Sequence, residues 1–139
     1  MLSKLIGYNP HNIGGYTTWG GQGCVFSSLR LAISKQFPSA KEHGAPQNVY
    51  CFASENAHYS LLKSIEATGV GSNHLIKVKT DPYTNSMNIE DLENKMIQVI
   101  ENGGIPLYIL ATMGSTDTFT IDDIKKLKRV LKQYRRNIN

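Results

Sequence analysis

Val49-Tyr50-Cys51-Phe52-Ala53-Ser54-Glu55-Asn56-Ala57-His58-Tyr59-Ser60 is the stretch that decides the fold. Its first five residues form a short apolar run between Asn48 and Ser54, the pattern of a strand buried on both faces. Ser54-Glu55-Asn56-Ala57 then turns the chain into a helix from about His58 to Thr68. Leu61, Leu62 and Ile65 line its inner face, and Gly69 is placed to stop it. A strand that needs apolar cover, followed by a helix that supplies it, is the first half of a βαβ unit.

Reading outward, the alternation repeats. Downstream, His74 to Lys79 alternates like a strand, and Asp81-Pro82-Tyr83-Thr84-Asn85 reads as a turn. Asn88 is placed as a helix N-cap with Asp91 three residues on. The helix Ile89 to Glu101 turns Leu92, Met96, Val99 and Ile100 to the core and stops at Asn102-Gly103-Gly104. Ile105 to Ala111 reads as an interior strand and Thr112 to Thr120 as a loop. Thr120 or Asp122 would cap a last helix whose Ile124, Leu127, Val130, Leu131 and Tyr134 recur at helical spacing. Upstream, a glycine-rich loop from Gly14 to Gly23 opens a helix that carries Val25, Phe26, Leu29, Ile33 and Phe37 until Pro38 ends it. Strands alternating with such helices predict an α/β fold with a mainly parallel sheet. Residues 1–139 read as one domain. The sheet reads as unfinished, because no strand follows the last helix.

Composition narrows the class. The chain has 139 residues, 40% of them apolar and 19% charged, enough for one core and unlike disordered, collagenous or disulfide-scaffold chains. No apolar run approaches the ~20 residues that cross a bilayer, and the N-terminus is a poor secretory signal. Cys24 and Cys51 lack CxxC spacing and read as buried or half-buried free thiols in a reducing compartment, by default the cytosol. The net charge is +4, but seven of the fifteen basic residues fall between Lys125 and Arg136. They make the solvated face of the last helix, and no aromatic interleaving points to nucleic acid. Neither a nucleic-acid nor a membrane partner is expected.

Three segments carry candidate chemistry. Gly20-Gly21-Gln22-Gly23 opens a helix, where backbone N–H groups and the helix dipole suit a phosphate. Phe26 stands where GxGxxG needs glycine or alanine, and no GxxxxGK[ST] occurs, so the nucleotide fingerprints do not apply. A plain glycine-rich turn is the competing reading. His58 lies just past a buried strand, where ligands of open α/β sheets collect, although a histidine there is often a helix cap. Ala111-Thr112-Met113-Gly114-Ser115-Thr116-Asp117 follows the last strand with hydroxyls that either meet a ligand or satisfy loop backbone. His11, His43 and His74 make no ligand pattern with a cysteine or another histidine, and no metal is expected.

Taken together, the order and spacing of Thr18-Trp19-Gly20-Gly21-Gln22-Gly23, Phe52-Ala53-Ser54-Glu55-Asn56-Ala57-His58-Tyr59-Ser60 and Ala111-Thr112-Met113-Gly114-Ser115-Thr116 followed by Asp122 resemble the group II pyridoxal-phosphate-dependent amino-acid decarboxylases, which include glutamate, tyrosine and aromatic amino-acid decarboxylases. Gly69 to Val78 is also similar, and the resemblance runs from about Gly14 to Val130. It implies part of the large domain of the fold-type I, aspartate aminotransferase-like enzymes. It also implies pyridoxal 5′-phosphate as cofactor, an amino-acid substrate and a homodimer. Gly21, Gln22 and Gly23 would hold the cofactor phosphate, His58 would stack on its ring and approach the substrate, and Thr116 would lie beside it. Asp122 would cap the following helix. The Schiff-base lysine and the aspartate that keeps the pyridine nitrogen protonated would lie beyond Asn139, so the chain reads as a truncated cofactor domain, inactive alone. Gln22 replaces the usual serine or threonine and Val25 an asparagine, which puts a direct phosphate contact by Gln22 in doubt. The alternatives are a non-catalytic phosphate- or nucleotide-binding α/β module, or a fragment of a related aminotransferase or desulfurase.

Overall fold

The computed structural model describes residues 2–5, 7–115 and 118–135. In chain order these form α1 (Leu2–Leu5), α2 (Gly21–Gln36), α3 (Ala40–His43), β1 (Val49–Ser54) and α4 (Ser60–Thr68). A single 3-10 turn at Ser72–His74 leads into β2 (Leu75–Val78), followed by α5 (Ile89–Glu101), β3 (Ile105–Leu110) and α6 (Ile124–Arg135). The three strands form one sheet in the order β2-β1-β3, and both pairings are parallel. The α/β class with a parallel sheet is therefore as the alternating pattern predicts.

The core follows from the two-residue period of β1. Val49, Cys51 and Ala53 face one side, where Leu29 and Ile33 of α2 and Leu61 and Ile65 of α4 cover them. Phe52 faces the other side, among Val78, Leu92, Met96 and Val99, with Leu127 and Val130 of α6 completing the layer. Fully burying an aliphatic or aromatic side chain of this kind contributes ~1.5–3 kcal/mol, so two covered faces around β1 supply most of what holds the sheet. A register shift between Tyr50 and Cys51 pairs Tyr50 with Pro106 and Cys51 with Tyr108. This bulge at Leu107 sends both Leu107 and Tyr108 to the α2 side, and the Tyr108 hydroxyl lies 2.7 Å from Ser28 Oγ on α2.

Helix ends match the local chemistry where it is unambiguous. The Asn88 side chain accepts the Asp91 N–H at 3.0 Å, capping α5. Gly69 takes a left-handed φ of 76° after α4, where its N–H reaches Glu66 and Ile65 carbonyls. Elsewhere the structure corrects the pattern. Helix α4 begins at Ser60 rather than His58, because the His58 imidazole accepts the Ser60 N–H at 3.2 Å and so stands outside the helix. Neither Thr120 nor Asp122 caps α6; Asp123 Oδ1 accepts the N–H groups of Lys125 and Lys126, both at 3.0 Å. Asp122 is buried instead. The strand at Ile105 is not interior among the described residues: it pairs only with β1, and its residues are half-buried. Apolar sequence reports cover on the faces of a strand, not the number of its neighbours. Ile100, Ile124 and Leu131, expected in the core, are each more than a third exposed, and Cys24 is exposed rather than buried.

Candidate functional site

The carboxyl ends of β1 and β3 and the amino ends of α2 and α4 enclose one open cleft of about 460 Å³, within the ~300–1,000 Å³ typical of small-molecule sites. Gly21, Gln22 and Val25 of α2 form one wall. Asn56, His58 and Ser60 form the second, and the run from Leu110 to Ser115 the third. None of these lining residues is acidic, and none is a lysine. Among the described residues, no three His, Cys, Asp or Glu side chains converge as metal ligands.

The first wall exists because Gly20 adopts φ 142°, a backbone state that glycine tolerates, and starts α2 abruptly. The helix has no side-chain cap and no acidic residue in its first turn, so its leading N–H groups and positive dipole end stay unneutralised. A Cβ on Gly21 would meet nothing within 4 Å, so its backbone is open to an approaching group. Gly23 does something else. It is buried, does not line the cleft, and a Cβ there would stand 3.0 Å from Thr18 Cβ and 3.2 Å from the Trp19 ring. Its missing side chain lets Thr18-Trp19 fold over the first turn. The Gln22 amide is directed inward, with Nε2 donating to the Ser60 carbonyl at 3.2 Å and to Ser64 Oγ at 3.4 Å. Those bonds tie the amino ends of α2 and α4 together.

On the second wall, the Ser60 N–H donates to His58 Nδ1, which leaves the proton of a neutral imidazole on Nε2. The ring packs against Tyr59, centroids 4.2 Å apart and planes inclined by 32°. Beside it, Glu55 Oε1 accepts both the N–H and the hydroxyl of Thr80 at 3.0 Å, which holds the Glu55 carboxyl below its ordinary range and joins the ends of β1 and β2.

The third wall is a closed excursion. Met113 bridges Ile121 in antiparallel fashion, and the Gly114 N–H donates to the Thr120 carbonyl at 2.7 Å. Ser115 Oγ accepts the Thr118 N–H at 3.2 Å, so this hydroxyl satisfies its own loop. Asp122, only 2% exposed, pins the excursion: it accepts the Met87 N–H at 2.7 Å and the Thr112 N–H at 2.6 Å. Thr116 lies outside the described residues. The structure thus gathers Gly21, Gln22 and His58 around one cleft and leaves Gly23 behind it. Ser60 and the anchoring function of Asp122 escaped the sequence reading. A serine at the first position of a helix and one of two adjacent aspartates carry no distinguishing pattern.

A parallel sheet whose strand ends face an uncapped glycine-opened helix, an imidazole and a pinned hydroxyl loop forms a strand-end cleft, the place where open α/β sheets collect ligands. The chain belongs to the pyridoxal-phosphate-dependent decarboxylases: it matches the family described as "Pyridoxal-dependent decarboxylase conserved domain" over residues 6–139. It is 32% identical over 118 residues to glutamate decarboxylase of Drosophila melanogaster, a match covering 83% of this chain and 23% of the fly protein. Mouse CSAD superposes with a TM-score of 0.89 at 28% identity, covering 95% of this chain and 28% of that one. The glutamate decarboxylase domain of a Vibrio parahaemolyticus protein superposes at 0.78 with 25% identity, over 85% of this chain and 27% of that one. The fold is that of the fold-type I decarboxylases, and the chain spans about a quarter of the length of these relatives. No helix among the described residues is long and apolar enough to cross a membrane.

Proposed function

We propose that residues 1–139 form part of the cofactor-binding large domain of a pyridoxal-phosphate-dependent amino-acid decarboxylase and hold the phosphate and one ring face of the cofactor. The carrying observation is that the open amino end of α2 at Gly21 and the His58 ring line the same cleft, with no acidic residue among its described lining. The residues present fit the group. The backbone at Gly21 is unobstructed where a dianion would sit, and the dipole favours it. His58 offers a flat ring for stacking, and with Nδ1 held by the Ser60 N–H its other nitrogen is left to serve a ligand. Thr116 is proposed beside the cofactor, as the family resemblance implies. Gln22 departs from that scheme: its amide N–H groups are engaged with α4, so its contribution to phosphate is indirect.

When bound, pyridoxal phosphate supplies the electron sink for the bond broken at Cα as CO₂ leaves. What this chain's residues do is bind and orient. The lysine that anchors the cofactor and the aspartate that pairs with its pyridine nitrogen are assigned to other segments, as the family resemblance implies; among the described residues no lysine or acid lines the cleft. By itself the chain is therefore expected not to decarboxylate. Exposed Trp19, Tyr59, Met113 and Phe119 near the cleft favour cover by a second subunit, in keeping with a homodimer. Free thiols at Cys24 and Cys51 favour a cytoplasmic setting.

The test is Gly21→Val. A side chain fits there without a clash, so the fold should survive while the anion approach is blocked. Binding of pyridoxal 5′-phosphate should fall at least tenfold; equal binding by both proteins overturns the cradle. Steady CO₂ release from the chain alone, with cofactor and an amino-acid panel including glutamate, overturns the expected inactivity.

A further inference from the structure

The residue that the family resemblance would put on the phosphate, Gln22, has spent its amide elsewhere, and the structure offers another donor. Ser60 is 95% buried, yet it lines the cleft. Its N–H goes to His58 Nδ1, and its carbonyl accepts from Gln22 Nε2 and from Ser64 Oγ at 2.7 Å. Its hydroxyl has no hydrogen-bond partner among the described residues, and no side-chain oxygen there is both sealed from solvent and unpaired. Part of that hydroxyl is therefore open to solvent, on a residue that lines the cleft. A hydroxyl with no partner in the protein and some solvent contact is free to donate to a ligand oxygen, so its position is that of a donor awaiting an acceptor.

A second feature converges on the same place. Ser60 is the first residue of α4 and Gly21 the first of α2, and both line the cleft. Two helix amino ends, each equivalent to roughly half a positive charge, therefore point into a space that no acidic side chain among the described residues lines. The Gln22 bonds to Ser60 and Ser64 hold the two ends in this relation.

We infer that Ser60 Oγ is the side-chain donor to the phosphate of the ligand, acting at a two-helix anion subsite with Gly21, while Gln22 is a strut that positions it. This rests on the cofactor-domain reading above. Geometry explains the exchange of roles. A glutamine at position 22 is long enough to reach α4 and fix it, and the shorter serine at position 60, carried by α4, then supplies the hydroxyl.

The probes are pyridoxamine 5′-phosphate and pyridoxamine, titrated calorimetrically into the full chain. They differ only in the phosphate, and neither carries an aldehyde to react with surface lysines. Wild type should prefer the phosphate ester. Ser60→Ala should weaken the ester about tenfold or more, as expected for a lost hydrogen bond to a charged group, and leave pyridoxamine unchanged. Ser60→Thr keeps a hydroxyl and should retain the preference, which a merely structural serine would not require. Where alanine disturbs α4, Ser60→Cys keeps the volume with a weaker donor and should show the same selective loss. An unchanged ester preference in folded Ser60→Ala or Ser60→Cys overturns the role of Ser60 and leaves the cofactor reading standing. A wild-type chain that does not prefer the ester overturns both.

Discussion

Removing the Asp122 carboxylate should cost this small fold a large share of its stability. Asp122 is 2% exposed and bonds to two segments distant in sequence: the N–H of Met87 before α5, at 2.7 Å, and the N–H of Thr112 after β3, at 2.6 Å. In Asp122→Ala both N–H groups lose their acceptor at a site where water has little access. Each orphaned donor costs about 1–3 kcal/mol, so the pair costs about 2–6 kcal/mol. Domains of this kind have only ~5–15 kcal/mol in all. Asp122→Asn keeps one carbonyl acceptor but turns an NH₂ toward the other N–H, and should fall roughly midway. Urea unfolding of the full chain measures the difference through the midpoint, with the slope unchanged if the unfolded state is the same. Hydrogen exchange should locate it, with faster exchange at Met87 and Thr112 than at core amides such as Phe52. A loss under ~0.5 kcal/mol in Asp122→Ala, the range of an ordinary surface substitution, would refute the reasoning, and with it the claim that this carboxylate fixes the hydroxyl-bearing wall of the cleft.

Gly104→Ala should destabilise by about 1–3 kcal/mol through overpacking. The added Cβ would stand 2.7 Å from both the Tyr50 ring and Val99 Cγ1, and a lower melting temperature would report it. Asn88→Ala should cost about 1 kcal/mol by leaving the Asp91 N–H uncapped, read from the same melts. The buried Cys51 thiol is pushed up to about 12 by desolvation, whereas Cys24 is exposed. A thiol reagent at pH 8 should therefore modify one cysteine in the native chain and two in urea. Because the folded pKa of Cys51 is raised, its contribution is intact below about 9 and is lost as pH rises toward 12, so alkaline unfolding should come later in Cys51→Ala than the variant's lower neutral-pH stability alone implies.

Much of the architecture can be read along the chain because it depends on local periods. The run from Val49 to Ala53 needed cover on both faces, and the structure supplies it through α2 and α4 on one side and α5 and α6 on the other. Asn88 and Gly69 end helices through groups within three or four residues, so nearest-neighbour chemistry is enough to place them. The strand at Ile105 shows where that logic stops: its apolar residues report burial, yet its place at the edge of the described sheet depends on which strands lie beside it.

For the cleft, the order and spacing of the glycine loop, the histidine segment and the hydroxyl loop together nominate Gly21, Gln22 and His58 through the family resemblance, since each motif alone also has a plain structural reading. What each does was decided by contacts across the fold. Gln22 reaches Ser60 and Ser64 some forty residues away and thereby gives up its amide, Gly23 makes room for Trp19, and Asp122 spans 35 residues to Met87. Such partners are set by the packing of whole helices on a sheet. A hydrogen bond is a property of two positions in space, and sequence separation does not encode it.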